Sequence, residues 1–138
     1  MSRIFVDTWA WYALADAQDR DHELAQLAVE DIIERKVELV TTNFVLDEAT
    51  TLIRYKLGHP AALKFRATIR QLSQNELLSI YRISEAQELA AGDLFERYAD
   101  QDLSFTDCTS FVVMQELDLN EAFTSDHHFR ILGFTLVP

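Results

Sequence analysis

Short runs of β-branched, aliphatic and aromatic residues recur along this 138-residue chain, separated by longer stretches with helical spacing. The runs are Ile4-Phe5-Val6, Glu38 to Thr41, Leu77 to Tyr81, Glu121 to Phe123 and Phe134 to Val137. Runs this short and apolar read as buried strands, and the stretches between the first four are long enough for crossover helices. Strands that alternate with helices pair in parallel through right-handed crossovers. The order predicts one α/β domain over residues 1–138, a three-layer α/β/α fold with a mostly parallel central sheet.

Local signals place the helices. Thr8 to Ala15 is apolar nearly all round and predicts a buried helix, with Asp7 or Thr8 as its N-cap. His22 to Lys36 carries Leu24, Leu27, Ala28 and Ile32 at helical spacing. Asn43 reads as the cap of a helix through Leu57, Gly58 as its stop, and Pro60 as the opening of a helix to about Leu72. Ser84-x-x-Gln87 is a capping-box pattern for a helix ending near Tyr98, and Ser104 opens another through about Leu117.

Composition narrows the function classes. Cys108 is the only cysteine, which excludes an intrachain disulfide or a Cys-rich zinc site and fits a reducing compartment. No apolar run approaches the ~20 residues of a membrane span. Asp7 stands where a signal peptide's apolar core would lie, so a cytoplasmic protein without membrane association is expected. The net charge of −11 argues against indiscriminate nucleic-acid binding. Its distribution is uneven. Between Ala49 and Asn75 there is no acid, and Arg54, Lys56, Lys64, Arg66 and Arg70 give that window +5 against −16 elsewhere. The window reads either as the solvated faces of a helix pair or as a positive rim beside a negative centre.

In open α/β sheets, sites form beyond the carboxyl ends of the strands. Asp7 directly follows the first strand. Glu48 lies one to two turns into the helix after the second. Asp107 is in the first turn of the helix that starts at Ser104, and Asp126 follows the fourth strand through Thr124-Ser125. Brought together, four carboxylates repel one another and raise each other's pKa unless a cation neutralises them. Oxygen-only ligands suit Mg²⁺ or Mn²⁺, which activate water and bind phosphate oxygens. The residues thus point to a metal-dependent hydrolase of phosphate esters. Each acid also has a structural reading, because carboxylates are favoured at helix starts. Ser104-x-x-Asp107 is a capping-box pattern, Asp126 can cap the segment His127 to Leu132, and Glu48 can be plain helix surface.

The joint pattern resembles the PIN-domain family over essentially the whole chain. The residues that carry the resemblance are Phe5-Val6-Asp7-Thr8, Glu48 after Thr41-Thr42-Asn43, Leu103-Ser104-Phe105-Thr106-Asp107, and Phe123-Thr124-Ser125-Asp126-His127-His128-Phe129. Similar members are Mg²⁺/Mn²⁺-dependent ribonucleases, often the VapC-type toxins of type II toxin–antitoxin pairs. The resemblance implies that Asp7, Glu48, Asp107 and Asp126 form a catalytic metal site supported by the hydroxyls of Thr8 and Thr124. It also implies an RNA substrate, a homodimer and an antitoxin partner. Asp107 fits the third motif better than Asp100 or Asp102, with Asp102 as a candidate outer acid.

Other chemistries fit less well. His127 and His128 are adjacent and lack metal-ligand spacing with His22 or His59, so solvent-facing or substrate-side roles are expected rather than zinc ligation. Cys108 has no CxxC partner and reads as a small buried residue. A phosphoaspartate receiver needs a late lysine, and none follows Lys64. A haloacid-dehalogenase-type phosphatase needs a second Asp where Trp9 stands. The remaining competitor is a catalytically inactive PIN-like dimeric interaction protein, whose acids would be caps.

Overall fold

The computed structural model describes residues 2–138. Its elements run β1 (Arg3–Val6), α1 (Thr8–Ala15), α2 (His22–Glu34), β2 (Glu38–Thr42), α3 (Asn43–Leu57), α4 (His59–Gln74), β3 (Leu78–Tyr81), α5 (Glu85–Arg97), α6 (Phe105–Glu116), β4 (Glu121–Phe123), a 3₁₀ turn (His127–Leu132) and β5 (Thr135–Val137). Five strands form one sheet in the order β3-β2-β1-β4-β5, and every pairing is parallel. Ile4 sits opposite Leu39, and Phe5 opposite both Val40 and Ala122. The expected strands and helices are all present, with ends shifted by one or two residues.

By the right-handed crossover rule, the order β3-β2-β1 sends α1 to α4 to one face and the return to β4 sends α5 and α6 to the other, in keeping with the packing of α1 on α2 and α3, α3 on α4, and α5 on α6. The central strand is therefore covered on both sides, which is why Ile4, Phe5 and Val6 are all buried rather than alternating. Phe5, Phe111, Phe123 and Phe129 are among the fully buried side chains, and Phe111 meets Phe129 edge-on at 4.9 Å. The order in which strands are added to the sheet reverses between β1 and β4. That makes their carboxyl ends the switch point of the sheet, where such folds place their sites.

The helix ends have specific causes. Gly58, at φ 97°, ends α3, and Pro60 lies in the first turn of α4, as expected. The cap of α3 is Thr42 and not Asn43: the Thr42 hydroxyl accepts from the Val45 amide. Asn43 instead uses its side-chain oxygen to accept from the Ile83 amide, tying the start of α3 to the segment after β3. A hydroxyl one residue earlier in the extended strand was the better-placed acceptor. Three helices close on a left-handed residue that is not glycine. Lys36, Glu76 and Asp118 take left-handed conformations at φ 60°, 60° and 56°. In each case the next amide reaches back five residues, Val37 to Ile32, Leu77 to Leu72 and Leu119 to Met114, which closes the helix and turns the chain into the following strand. Among the described residues no helix is long and apolar enough to cross a membrane.

Candidate active site

Asp7 is the residue at which β1 stops. It occupies the N-cap position of α1, but its side chain makes no capping bond to that helix. Its Oδ2 instead accepts from the Thr124 hydroxyl, 3.0 Å away at the end of β4. The Thr124 oxygen in turn accepts from the Asp126 amide at 3.1 Å. One buried threonine thus couples the two acids across the switch point. The Asp7 side chain is 5% exposed, so its charge has almost no solvent to stabilise it.

Asp107 and Asp126 reach the same place from other elements. Asp7, Asp107 and Asp126 each present a carboxylate oxygen, and these oxygens lie within 4.8 Å of one another. Glu48 is not part of this tight trio. It stands close enough to add repulsion at Asp7 and Asp107, and its Oε1 accepts from the Thr8 hydroxyl at 2.6 Å. The Thr8 and Thr124 hydroxyls therefore each donate to one of the four acids, Thr8 to Glu48 and Thr124 to Asp7 rather than to the acids nearest them in sequence.

The capping readings also hold. Asp107 Oδ2 accepts from the Ser104 amide at 3.1 Å while the Ser104 hydroxyl accepts from the Asp107 amide at 3.0 Å. Asp126 Oδ1 accepts from the His128 amide at 3.0 Å and lies 2.7 Å from His128 Nδ1. Capping and clustering do not compete here. In each acid one oxygen is held by its own helix start, which fixes the carboxylate where the trio meets. Asp100 and Asp102 are exposed in the loop before α6 and are not members of the group. His127 is exposed, and His128 is half-buried against Asp126.

The electrostatics follow from this geometry. Burial, then repulsion from Asp107, raises the Asp7 pKa to about 7, against partial relief by hydrogen bonds from the Thr8 backbone amide and the Thr124 hydroxyl and a further push from Glu48. Asp107 is raised for the same reasons, burial first, then Asp126 and Glu48, opposed by its bonds to Ser104. Among the described residues no lysine or arginine pairs with any of the four acids. The Asp7, Asp107 and Asp126 trio, all oxygen and in excess negative charge, fits a hard divalent cation better than zinc, while Asp126 also lies within 4.8 Å of ring nitrogens of His127 and His128.

The threonine link has a testable cost. Thr124→Val is expected to lower stability by about 1–3 kcal/mol, because the Asp7 carboxylate loses a donor and the Asp126 amide an acceptor. Thr124→Ser should recover most of the loss. Urea unfolding of the three proteins checks this, and equal midpoints would show that the link is dispensable.

The sequence did not single out Arg82. It follows β3 and faces a cleft of about 440 Å³ together with Arg66 and Arg70. The basic window is thereby divided. Lys64 lines a different, largely apolar cleft beside Trp11 and Phe65, and the Lys56 ammonium lies 5.2 Å from the centre of the Tyr12 ring.

Comparison with known proteins places this geometry in context. A family model described as PIN domain matches residues 4–134. Two Mycobacterium tuberculosis proteins, from the CDC 1551 / Oshkosh and ATCC 25618 / H37Rv strains, are named 23S rRNA-specific endonuclease VapC20. Each is 31% identical over 134 residues, 97% of either sequence. The crystal structure of M. tuberculosis VapC20, described as a sarcin–ricin loop cleaving toxin, superposes with a TM-score of 0.83 at 32% identity, covering 96% of each chain. The structure of VapBC2 from Rickettsia felis, bound to a promoter DNA fragment, shares the fold at 12% identity and a TM-score of 0.71, covering 97% of this chain and 96% of the other.

Proposed function

The chain belongs to the PIN-domain family, and on that premise we propose that it is an RNA endonuclease that hydrolyses phosphodiester bonds with the help of Mg²⁺ or Mn²⁺. The single observation that carries the reading is the trio Asp7, Asp107 and Asp126, with oxygens within 4.8 Å at the switch point and, among the described residues, no lysine or arginine paired with them. Those three acids, with Glu48 beside them, would hold the ion. A hard divalent ion held there would supply charge to offset their repulsion and Lewis acidity toward a phosphate oxygen and water.

The chain's own residues set up the rest. Thr124 orients Asp7 through Oδ2, and Thr8 orients Glu48 through Oε1, so neither side chain has to reorganise when substrate arrives. The Glu48 oxygen that Thr8 leaves free is the proposed acceptor for a proton from the attacking water. Ser104 and the 3₁₀ turn hold Asp107 and Asp126 against mutual repulsion. The 23S rRNA named for VapC20 is the first substrate to test, and its sarcin–ricin loop the first site.

The proposal extends to a homodimer and to an antitoxin partner in the cytoplasm. Exposed Phe95 on α5 and Phe105 on α6, with ring centres 6.1 Å apart, and the exposed Leu24 and Leu27 of α2 offer apolar surface for such contacts.

Purified protein incubated with ribosomal RNA tests the reaction. Cleavage is expected with Mn²⁺ and none with chelator. The product ends should carry no 2′,3′-cyclic phosphate, because water and not the neighbouring ribose hydroxyl is the nucleophile. Cleavage that persists in chelator, or cyclic ends, would reject the mechanism. Intact RNA under every metal condition would favour the inactive interaction protein.

A further inference from the structure

The cleft beside the acidic centre is lined by Arg66 and Arg70 from α4, Arg82 from the segment after β3, and Asn43 and Asp47 from the start of α3. All three arginines are exposed, and among the described residues none makes an ion pair or a side-chain hydrogen bond with the protein. Arg35, by contrast, bonds Asp31 at 2.9 Å, and Arg3 bonds the Leu117 carbonyl at 3.1 Å. Asp47 offsets one of the three charges, which leaves the cleft positive on a chain of net charge −11. Three guanidiniums kept in one concavity without partners repel one another, and a planar fork of donors matches a phosphate.

Position ties the cleft to the site. Asp47 lines it, and the next residue on the same helix is Glu48. Arg82 follows the carboxyl end of β3, on the sheet edge where Asp7 follows β1. The strand order puts β2 between them, so the two strand ends lie roughly 10 Å apart. That is a separation on the scale of one or two nucleotides. The cleft's volume suits a nucleotide unit rather than a lone ion.

Resting on the ribonuclease reading, we propose that Arg66, Arg70 and Arg82 bind a backbone phosphate of the RNA strand to one side of the scissile bond. They set where the strand enters and make no contact with the reacting atoms. Helix α4 and the segment after β3 thereby supply the attraction that an acidic centre alone would deny to RNA.

The test compares wild type with Arg66→Ala/Arg70→Ala/Arg82→Ala, and with Arg97→Ala as an exposed control outside the cleft. Steady-state cleavage of ribosomal RNA in Mn²⁺ is followed from about 50 to 200 mM salt. The triple variant should raise KM about tenfold and leave kcat within about twofold. It should also make the negative slope of log kcat/KM against log salt shallower by at least about 0.7, the value for one lost phosphate on a single strand. Arg97→Ala should match wild type in all three. An unchanged KM and salt slope in the triple variant would overturn the proposal, even if the variant had lost affinity for an acidic peptide. If wild type cuts no RNA at all, the ribonuclease reading fails by itself. Anisotropy of a labelled oligouridine then decides the cleft, and equal affinity of wild type and triple variant overturns it.

Discussion

Asp7→Asn is expected to lower RNA cleavage by about 10³-fold or more while making the metal-free protein more stable at neutral pH. The two effects share one cause. The buried carboxyl holds its proton up to about pH 7, whereas the unfolded chain releases it near 3.8. Between those values the folded state binds more protons than the unfolded state, so stability falls as pH rises across that window. The penalty is absent below about pH 4 and complete above about pH 7, where it is on the order of 4 kcal/mol. Asn removes the charge and keeps the shape, so the variant should match wild type in acid and exceed it increasingly toward pH 8. Urea unfolding in chelator from pH 4 to pH 8 measures this. Parallel pH curves for the two proteins would mean that Asp7 ionises without strain, contrary to its surroundings.

Divalent cations should act on the same repulsion from the other side. Mg²⁺ or Mn²⁺ at about 100 times its Kd is expected to stabilise the folded chain by about 2.7 kcal/mol, since the unfolded chain offers no assembled site. For a chain of this length that corresponds to a rise in Tm of roughly 8–12 °C. The rise should shrink in acid, where protons compete for Asp7 and Asp107. Differential scanning fluorimetry with chelator, Mg²⁺ and Mn²⁺ reads it directly. A Tm that does not move at millimolar metal would reject a metal site at these acids.

The order of elements was legible because it depends on local spacing. Parallel strands covered on both faces read as unbroken apolar runs, and Gly58, Pro60, Ser84 and Ser104 mark helix ends through their own backbone chemistry. The candidate acids were legible through topology, since each follows a strand or opens a helix at one edge of the sheet. Their spacing in three dimensions was not. Nothing in the order of residues indicates that Asp7, Asp107 and Asp126 form the tight group while Glu48 stands aside, paired with Thr8. Choosing between cap and cluster for Asp107 and Asp126 was a false alternative, because two carboxylate oxygens can serve both. The left-handed turns at Lys36, Glu76 and Asp118 left no glycine to betray them. Arg82 was invisible for a different reason: it lies outside the acid-free window and joins Arg66 and Arg70 only when α4 packs beside β3.

Calorimetric titration of Mn²⁺ into wild type, Asp107→Asn and Asp126→Asn tests most directly whether the acids converge on one ion. Asn can still accept the hydrogen bond at each helix start, so both variants should keep the native circular dichroism spectrum while losing one charged ligand. Saturable binding to wild type, weakened at least about tenfold by either substitution, is the predicted result. Binding that is absent from wild type at millimolar Mn²⁺, or equal in all three proteins, would contradict it.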